Sequence, residues 1–192
     1  MTALDARAFR DALGWFTTGV TVITTRSAAG DLVGFTANSF SSVSLDPPLV
    51  LFSLNRQAQS LPIFESCAHF AVNILAEEQS ELSSRFATAA HDKWDGVSIT
   101  LGAGGCPLLD GAVAIFECAV HGMHDGGDHR IFIGRVLGMR AALEGKPLLF
   151  CRGVYRELGP PLGAPAAAAA PGATSALDNG GLFAGLEPWV SA

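Results

Sequence analysis

The sequence predicts a mainly β protein, folded as an antiparallel barrel or sandwich. Runs of β-branched and aromatic residues recur along most of the chain, as in 19–25 and 49–54. Turn-forming Gly, Asp and Pro residues separate consecutive runs. Few segments between the runs have helical periodicity, whereas a doubly wound parallel sheet needs a crossover helix after most of its strands. These three observations favour hairpin-connected strands.

The predicted elements begin with a short amphipathic helix that Asp5 caps. A hairpin follows over 19–25 and 32–40, with its turn at 29–31, and the stiff segment Asp46-Pro47-Pro48 interrupts the chain before the next strand. Further strands are expected over 49–54, 70–75, 112–123, 130–141 and 148–158. Two short helices are expected near 60–66 and 77–86, and a turn at 123–129 makes 112–141 a long hairpin.

Composition excludes several classes of protein. The chain has 192 residues, of which 49% are hydrophobic, so it can bury a core and is not disordered as a whole. Its net charge is -6 and it has no run of basic residues, which argues against binding nucleic acid through a phosphate-facing patch. The apolar runs are shorter than the ~20 residues of a membrane span, and the N-terminus has no apolar signal core. We therefore expect a cytoplasmic protein that does not contact membranes.

Composition also predicts a domain boundary after Leu158. Residues 1–158 carry the strand pattern described above. Residues 159–192 are rich in Ala, Pro and Gly, and their prolines block a long helix despite the alanines. We expect a flexible tail over 159–192.

The common catalytic motifs are absent from the sequence. The glycine cluster 102–107 fails the dinucleotide motif GxGxxG because Pro107 takes the last position, and neither a phosphate-binding P-loop nor a zinc-protease motif occurs. The His and Asp residues of 121–129 surround glycines that mark a turn, so we expect a solvated hairpin end and no metal site. No two cysteines lie closer than 12 positions apart, so Cys67, Cys106, Cys118 and Cys151 are expected to be small buried residues.

The segment 34–60 is unusually polar for strands that pack on a core. It places small hydroxyl and amide side chains along extended chain and ends in Ser53-Leu54-Asn55-Arg56. Such residues offer hydrogen-bond donors and acceptors with little bulk, which suits a surface that a polar, planar ligand approaches. A wet edge strand explains the same composition, and the residues alone leave both interpretations open.

A family resemblance favours the ligand-binding interpretation. The relevant segments are GVTVITT (19–25), GFTANSFSSVSLDPPLVLFSL (34–54), FAVNIL (70–75), SSRF (83–86), GDHRIFIGRV (127–136) and PLLFCRGVY (147–155). In these segments the chain, over residues 8 to 158, resembles the flavin reductase-like family. The resemblance implies an antiparallel split β-barrel, the FMN-binding split barrel. It also implies a homodimer that transfers hydride from NADH or NADPH to FAD or FMN and supplies reduced flavin to a partner monooxygenase.

The resemblance also implies roles for particular residues. It places the flavin ring beside Thr36, Ala37, Asn38 and Ser39, and the ribityl and phosphate end beside Ser53, Leu54, Asn55, Arg56 and Ser60. Ser84, Arg85 and Phe86 match a second contact on the phosphate side, where a guanidinium suits a phosphate. His129, Arg152, Gly153 and Tyr155 match positions near the nicotinamide nucleotide. The cofactor carries the chemistry, so no catalytic side chain and no metal are expected.

Simpler roles remain for several of these residues. Arg85 is spaced to pair with Glu81 on a helix surface, and His129 could be a solvated residue at a hairpin end. Tyr155 could cap the core, and Trp15 and Phe16 are more typical of helix packing than of cofactor contacts. At the level of function, the alternatives are a pyridoxamine-phosphate-oxidase-like flavoenzyme and a flavin-binding or redox-sensing module without turnover.

Overall fold

The computed structural model describes residues 4–90 and 92–162. A compact unit spans Met1–Leu158, and the predicted tail from residue 163 onward lies outside the described residues. The strands of the unit are β1 (Thr18–Gly19), β2 (Thr21–Arg26), β3 (Leu32–Ala37), β4 (Ser41–Leu45), β5 (Pro48–Asn55), β6 (His69–Ile74), β7 (Ile99–Leu101), β8 (Pro107–Leu109), β9 (Ala114–Gly126), β10 (His129–Ala141), β11 (Leu149–Cys151) and β12 (Val154–Arg156). The α-helices are α1 (Ala6–Leu13), α2 (Leu61–Ser66) and α3 (Ser80–Phe86), and 3-10 turns occupy Glu77–Gln79 and Ala103–Gly105.

Seven strands form the main sheet, in the order β3-β2-β6-β9-β10-β5-β4. Every strand pair of this sheet is antiparallel, which confirms the predicted class. Backbone ladders do not close the sheet into a complete barrel, because β3 and β4 remain its two edges. A side chain spans part of that opening. The Ser39 hydroxyl donates to the Ser53 carbonyl at 3.1 Å and accepts from the Ser53 amide at 3.0 Å.

Phenylalanine rings fill the middle of the core. Phe52 of β5 stacks on Phe132 of β10, with ring centroids 4.9 Å apart and planes 7° apart. Phe70 of β6 meets Phe52 edge-on at 5.0 Å, and Phe64 of α2 meets it at 5.9 Å. All four side chains are almost completely buried. Offset and edge-to-face aromatic contacts are favourable beyond the burial of their area, so this cluster fixes β5, β6 and β10 relative to one another.

A buried amide attaches the small β7-β8 hairpin to the main sheet. The Asn73 side chain donates to the Val22 carbonyl at 3.0 Å and accepts from the Leu109 amide at 2.8 Å. Asn73 is completely buried, and a buried amide is stable only when its hydrogen bonds are satisfied. Its two contacts therefore tie β2, β6 and β8 together.

Three sequence predictions about local structure need correction. The predicted final strand over 148–158 is two strands, because Arg152 and Gly153 adopt positive φ of 51° and 82° and turn β11 back onto β12. The predicted strand over 32–40 ends at Ala37, and the following strand β4 pairs with β5. The hairpin of β7 and β8 was not expected.

The first helix forms where predicted but does not pack as predicted. The Asp5 carboxylate accepts from the Arg7 amide at 2.8 Å, which caps α1. None of the helix residues is buried. Trp15 and Phe16, which follow the helix, remain 67% and 79% exposed. Their apolar rings are therefore not accounted for by packing within the described chain.

Over residues 4–90 and 92–162, the structure has no helix with the length and apolar character that crossing a membrane requires.

Gly134→Ala should destabilise the fold, because a Cβ atom at this position of β10 would clash with the Phe70 ring and lie 3.0 Å from the Cys118 Cβ. Overpacking of this kind costs roughly 1–3 kcal/mol. Gly138→Ala, on the same strand, is the matched control, because its Cβ would meet nothing closer than 3.9 Å. Urea unfolding should give a lower midpoint for Gly134→Ala alone. Equal midpoints for the two variants would contradict the close packing of Phe70 on β10.

Candidate functional site

Strand β3 runs between two surface grooves. The first, called here the α3 groove, has a volume of about 460 Å³, and the second, called the α1 groove, has a volume of about 790 Å³. The α3 groove is lined by Leu32–Phe35, Ala58–Ser60, Ile63, Phe86–Ala90, Lys93 and Trp94. The α1 groove is lined by Arg10–Phe16, Asn38, Phe150, Arg152 and Gly153. Both volumes lie in the range of small-molecule sites. Residues 32–35 of β3 line the α3 groove and Asn38, just after β3, lines the α1 groove, so the predicted flavin segment 36–39 lies between the two grooves or at the second.

The floor of the α3 groove is aromatic. Phe86 lies edge-on to Trp94, with ring centroids 4.7 Å apart, and is 1% exposed. Phe86 is therefore a core residue that presents only a small part of its ring to the groove. Gly34 of β3 lies against both rings, since a Cβ there would approach the Phe86 ring to 3.0 Å and Trp94 to 3.2 Å. A glycine at this point of β3 allows the aromatic pair to pack against the strand.

A lysine that sequence reasoning missed contributes positive charge to the α3 groove. Lys93 Nζ donates to the Thr88 carbonyl at 2.8 Å and lies 5.8 Å from the centroid of the Phe86 ring. Partial burial lowers the pKa of Lys93. Among the residues that the structure describes, no carboxylate forms a salt bridge with Lys93. A partly desolvated cation without an anionic partner favours an anionic ligand.

Arg85 holds the loop that follows α3. Its Nη1 donates to the Asp95 carbonyl at 2.8 Å, and no salt bridge to Glu81 forms within the described chain. The side chain is exposed, and a guanidinium has five N–H donors, so this single bond leaves most of them for a ligand. Ser60, which precedes α2, lines the same groove. Of the predicted phosphate-side residues, Ser60, Arg85 and Phe86 are thus brought to the α3 groove or next to it.

The α1 groove brings together Asn38 and two of the predicted nicotinamide residues. Arg152 and Gly153 form its rim, because the β11-β12 turn places them beside the end of α1. The Arg152 amide donates to the Gly14 carbonyl at 3.0 Å, and its guanidinium lies 4.2 Å from the centroid of the Trp15 ring. This cation–π contact gives Trp15 a role in the groove that the sequence did not suggest.

A buried serine connects β3, α3 and β12. Thr36 Oγ1 donates to the Ser83 carbonyl at 2.6 Å, and the Tyr155 hydroxyl donates to Ser83 Oγ at 2.8 Å. Ser83 is completely buried, and Ser84 Oγ lies 3.4 Å from the same tyrosine oxygen. The sequence singled out Ser84, Thr36 and Tyr155 but missed Ser83, which links all three elements. In the sequence, Ser83 was marked only as the first residue of the segment SSRF (83–86), which carries part of the family resemblance.

The remaining flavin-side residues divide into buried and exposed positions. Ala37 is 7% exposed and Leu54 is 4% exposed, so both side chains belong to the core. The Ala37 carbonyl accepts from Thr21 Oγ1 at 2.8 Å. Ser53 and Asn55 alternate with Leu54 on β5 and therefore share the opposite face of the strand. The hydroxyl of Ser39 is used in the two bonds to Ser53 described above.

Arg56 and His129 meet at the tip of the β9-β10 hairpin. Asn55 is paired with His129 across β5 and β10, and Arg56 follows Asn55 directly. Arg56 Nε donates to the Gly127 carbonyl at 2.8 Å, and its guanidinium pairs with Asp125. His129 Nδ1 lies 2.7 Å from the Asp128 carboxylate, with the ring 40% exposed. The His129 ring is thus half-exposed. The Arg56 guanidinium contacts the hairpin tip.

The cysteines do not form a reactive centre. All four are free thiols, with Cys106 and Cys118 buried and Cys67 and Cys151 half-buried. Burial raises the pKa of Cys106 to about 11 and that of Cys118 to about 12. Neither is a thiolate near neutral pH, so neither is a nucleophile there. Within the described ranges, no group of three His, Cys, Asp or Glu residues has the arrangement of a metal site.

The two grooves combine apolar walls, small hydroxyl residues and positive charge. Such a surface can hold a flat ring system with an anionic arm. A flavin nucleotide fits this donor set, because Lys93 lines the α3 groove and Arg85 precedes the lining residue Phe86 in α3, and a phosphate needs such cations in a chain of net charge -6.

Comparison with known proteins adds independent findings. The family model described as "Flavin reductase like domain" matches residues 13–159. A Rhizobium meliloti (strain 1021) protein described as a probable flavin reductase is 46% identical over 158 residues, which cover 81% of this chain and 50% of that protein. The chain thus spans only half the length of that relative. The flavin-dependent monooxygenase reductase subunit HsaB of Rhodococcus jostii (strain RHA1) is 43% identical over 164 residues, covering 85% of this chain and 84% of HsaB.

A solved structure also resembles the fold. The NADH:FAD oxidoreductase SgcE6 of Streptomyces globisporus, in complex with NAD and FAD fragments, superposes with a TM-score of 0.77 at 38% sequence identity. The match covers 83% of this chain and 98% of SgcE6.

Ser83→Ala and Tyr155→Phe should each destabilise the fold by about 1 kcal/mol, because each removes the hydrogen bond between the tyrosine hydroxyl and Ser83 Oγ. The double variant should cost little more than either single variant, since both remove the same bond. Urea unfolding of the wild type and the three variants measures this coupling. Fully additive losses would show that the two hydroxyl groups do not stabilise each other.

Proposed function

Because the chain belongs to the family of the flavin reductase like domain, we propose that it transfers hydride from NADH to FAD or FMN and delivers reduced flavin to a partner monooxygenase. The observation that supports this proposal most directly is the course of β3, which joins the α3 groove to the α1 groove. Ser60 and Phe86, matched to the phosphate end of the flavin, line the first groove, and Arg152 and Gly153, matched to the nicotinamide, line the second. One bound flavin beside β3 would thus have its phosphate arm and its ring next to different grooves.

As a flavin reductase, the chain has to bind and orient two ligands. Bound flavin supplies the hydride acceptor, so the protein needs no acid, base or metal for that step. In our proposal the backbone of 36–39 lies along the ring edge, while Ser53, Asn55 and Ser60 hydrogen-bond the ribityl chain. His129 and the β11-β12 turn hold the nicotinamide against the ring. Orientation within about 3–3.5 Å is the main contribution that such a site makes to the rate.

The partner and the compartment are parts of the same proposal. HsaB is named as the reductase subunit of a flavin-dependent monooxygenase, which supports an oxygenase as the recipient of reduced flavin. SgcE6 is named as an NADH:FAD oxidoreductase, which supports NADH and FAD as the first pair of substrates to test. All four cysteines are free thiols, as is usual for proteins of a reducing cytoplasm.

An oxidation assay tests the proposed reaction. NADH and NADPH are each supplied with FAD, FMN and riboflavin, and the loss of absorbance of the nicotinamide is followed. We expect steady oxidation that depends on added free flavin. A yellow protein whose turnover does not need added flavin would instead indicate a flavoenzyme of the pyridoxamine-phosphate-oxidase type. Flavin binding without oxidation would indicate a module without turnover, and either result would overturn the proposal.

Arg85→Ala and Lys93→Met should weaken the binding of FMN and FAD roughly tenfold to a hundredfold, because each removes a cation near the α3 groove. Riboflavin lacks a phosphate, so its affinity should change little. Flavin fluorescence titration measures the three dissociation constants. Lys146→Met is the matched control, since Lys146 pairs with Glu77 and lines neither groove. Equal weakening for all three flavins would show that the substituted cation does not contact phosphate.

We also expect a homodimer, because the apolar side chains around α1 lack cover within the described chain. Phe9, Leu13, Trp15 and Phe16 are between 50% and 79% exposed. Burial of such rings against a second copy would be favourable. Light scattering should give a mass of about 40 kDa, twice the 19.9 kDa of one chain. Phe16→Glu should shift the mass toward one chain, whereas Leu143→Glu, at a fully exposed position away from α1, should not. A mass of one chain for the wild type at micromolar concentration would contradict this expectation.

A further inference from the structure

Arg56 bonds to three residues at the tip of the β9-β10 hairpin. Its main-chain amide donates to the Asp128 carbonyl at 3.0 Å, and its Nε donates to the Gly127 carbonyl at 2.8 Å. Its terminal nitrogen Nη2 pairs with the Asp125 carboxylate. One residue at the end of β5 therefore bonds the tip through both its backbone and its side chain.

The tip that Arg56 holds leads directly into His129. Gly127 and Asp128 form the turn, with Gly127 at a φ of 75°, and His129 is the first residue of β10. The Asp128 carboxylate is bonded to the His129 ring at 2.7 Å. Without the Arg56 contacts, the last pair of the β5-β10 ladder, Asn55 with His129, would be the only remaining link between the tip and β5.

The Arg56 guanidinium is poorly placed to bind a phosphate. It already has an anionic partner in Asp125, and it holds the pKa of that carboxyl below its usual value. Its Nε and Nη2 are both bonded to the hairpin tip, whereas Arg85 has a single hydrogen bond to a carbonyl. The α3 groove, in contrast, contains Lys93, which has no carboxylate partner in the described part of the chain.

We infer that Arg56 and Asp125 form a clamp that positions His129 for the nicotinamide nucleotide, and that Arg56 is not a phosphate ligand of the flavin. This inference rests on the proposed function, since it requires that NADH is a substrate. Both residues are positioning residues, because they act through the hairpin tip. The other charged groups at the tip are Asp128 and Arg130, and Arg130 lies 3.2 Å from Glu65 of α2. Arg130 also faces Asp125 across β9 and β10 and helps to lower the pKa of that carboxyl, after the hydrogen bond and charge of Arg56.

The test uses Arg56→Gln, Asp125→Asn and the double variant. Arg140→Gln is the matched control, because it removes a positive charge at the far end of β10. Three quantities are measured in the full-length protein. They are the KM for NADH at saturating FMN, the limiting rate, and the dissociation constants of FMN and riboflavin. Hydrogen exchange at the amides of 127–129 reports the mobility of the tip independently of activity.

Arg56→Gln and Asp125→Asn should each raise the KM for NADH about threefold to tenfold, with a smaller effect on the limiting rate. The double variant should resemble the single variants, since one clamp is lost in each case. Exchange at 127–129 should become faster, and the ratio of FMN to riboflavin affinity should stay as in the wild type. Arg140→Gln should change none of these quantities.

Two results would overturn the clamp while leaving the proposed function intact. Weaker binding of FMN but not of riboflavin in Arg56→Gln would make Arg56 a phosphate ligand. An unchanged KM for NADH in Asp125→Asn, in an enzyme that oxidises NADH normally, would show that the ion pair does not position His129. If the wild type oxidises no NADH, the proposed function fails first and the inference fails with it.

Discussion

The stacking of Phe52 on Phe132 is the contact on which the arrangement of the site depends. It sets the register of β5 against β10, with Phe52 opposite Phe132 and Asn55 opposite His129. Because side chains alternate along a strand, a slip of one residue would turn Leu54 outward and the polar residues beside it into the core. The aromatic cluster thus fixes the core and also determines which side chains of β5 lie on the face opposite the core.

Side-chain hydrogen bonds complete the structure where the backbone ladder stops. Ser39, which follows β3, bonds to Ser53 of β5 through its hydroxyl, and Thr36 of β3 donates from its hydroxyl to the Ser83 carbonyl of α3. These links leave the strand accessible between them, whereas a complete backbone ladder would cover its edge. β3 thus stays an edge of the sheet, held by hydroxyl groups at its C-terminal end.

Much of the fold was predictable because strand periodicity and turn residues are local signals. The strands around Phe52 and Phe132 and the three helices lie close to their expected positions. The turn at Gly153 was missed because Arg152-Gly153 is a break of only two residues between the apolar segments LLFC and VY. Ser83 and the partner of Arg56 could not be found from spacing, since their contacts join elements 47 and 69 residues apart. Lys93 was missed because its surroundings exist only after α3 folds against β3.

The burial of Cys106 and Cys118 affects how readily their thiols are oxidised during the proposed reaction. Reduced flavin that meets oxygen before it meets an oxygenase generates hydrogen peroxide, and peroxide attacks thiolates rather than thiols. A thiol with a pKa of about 11 or 12 is ionised in no more than about one molecule in ten thousand at pH 7. Enclosure by the core therefore makes these two sulfur atoms resistant to a by-product of the proposed reaction.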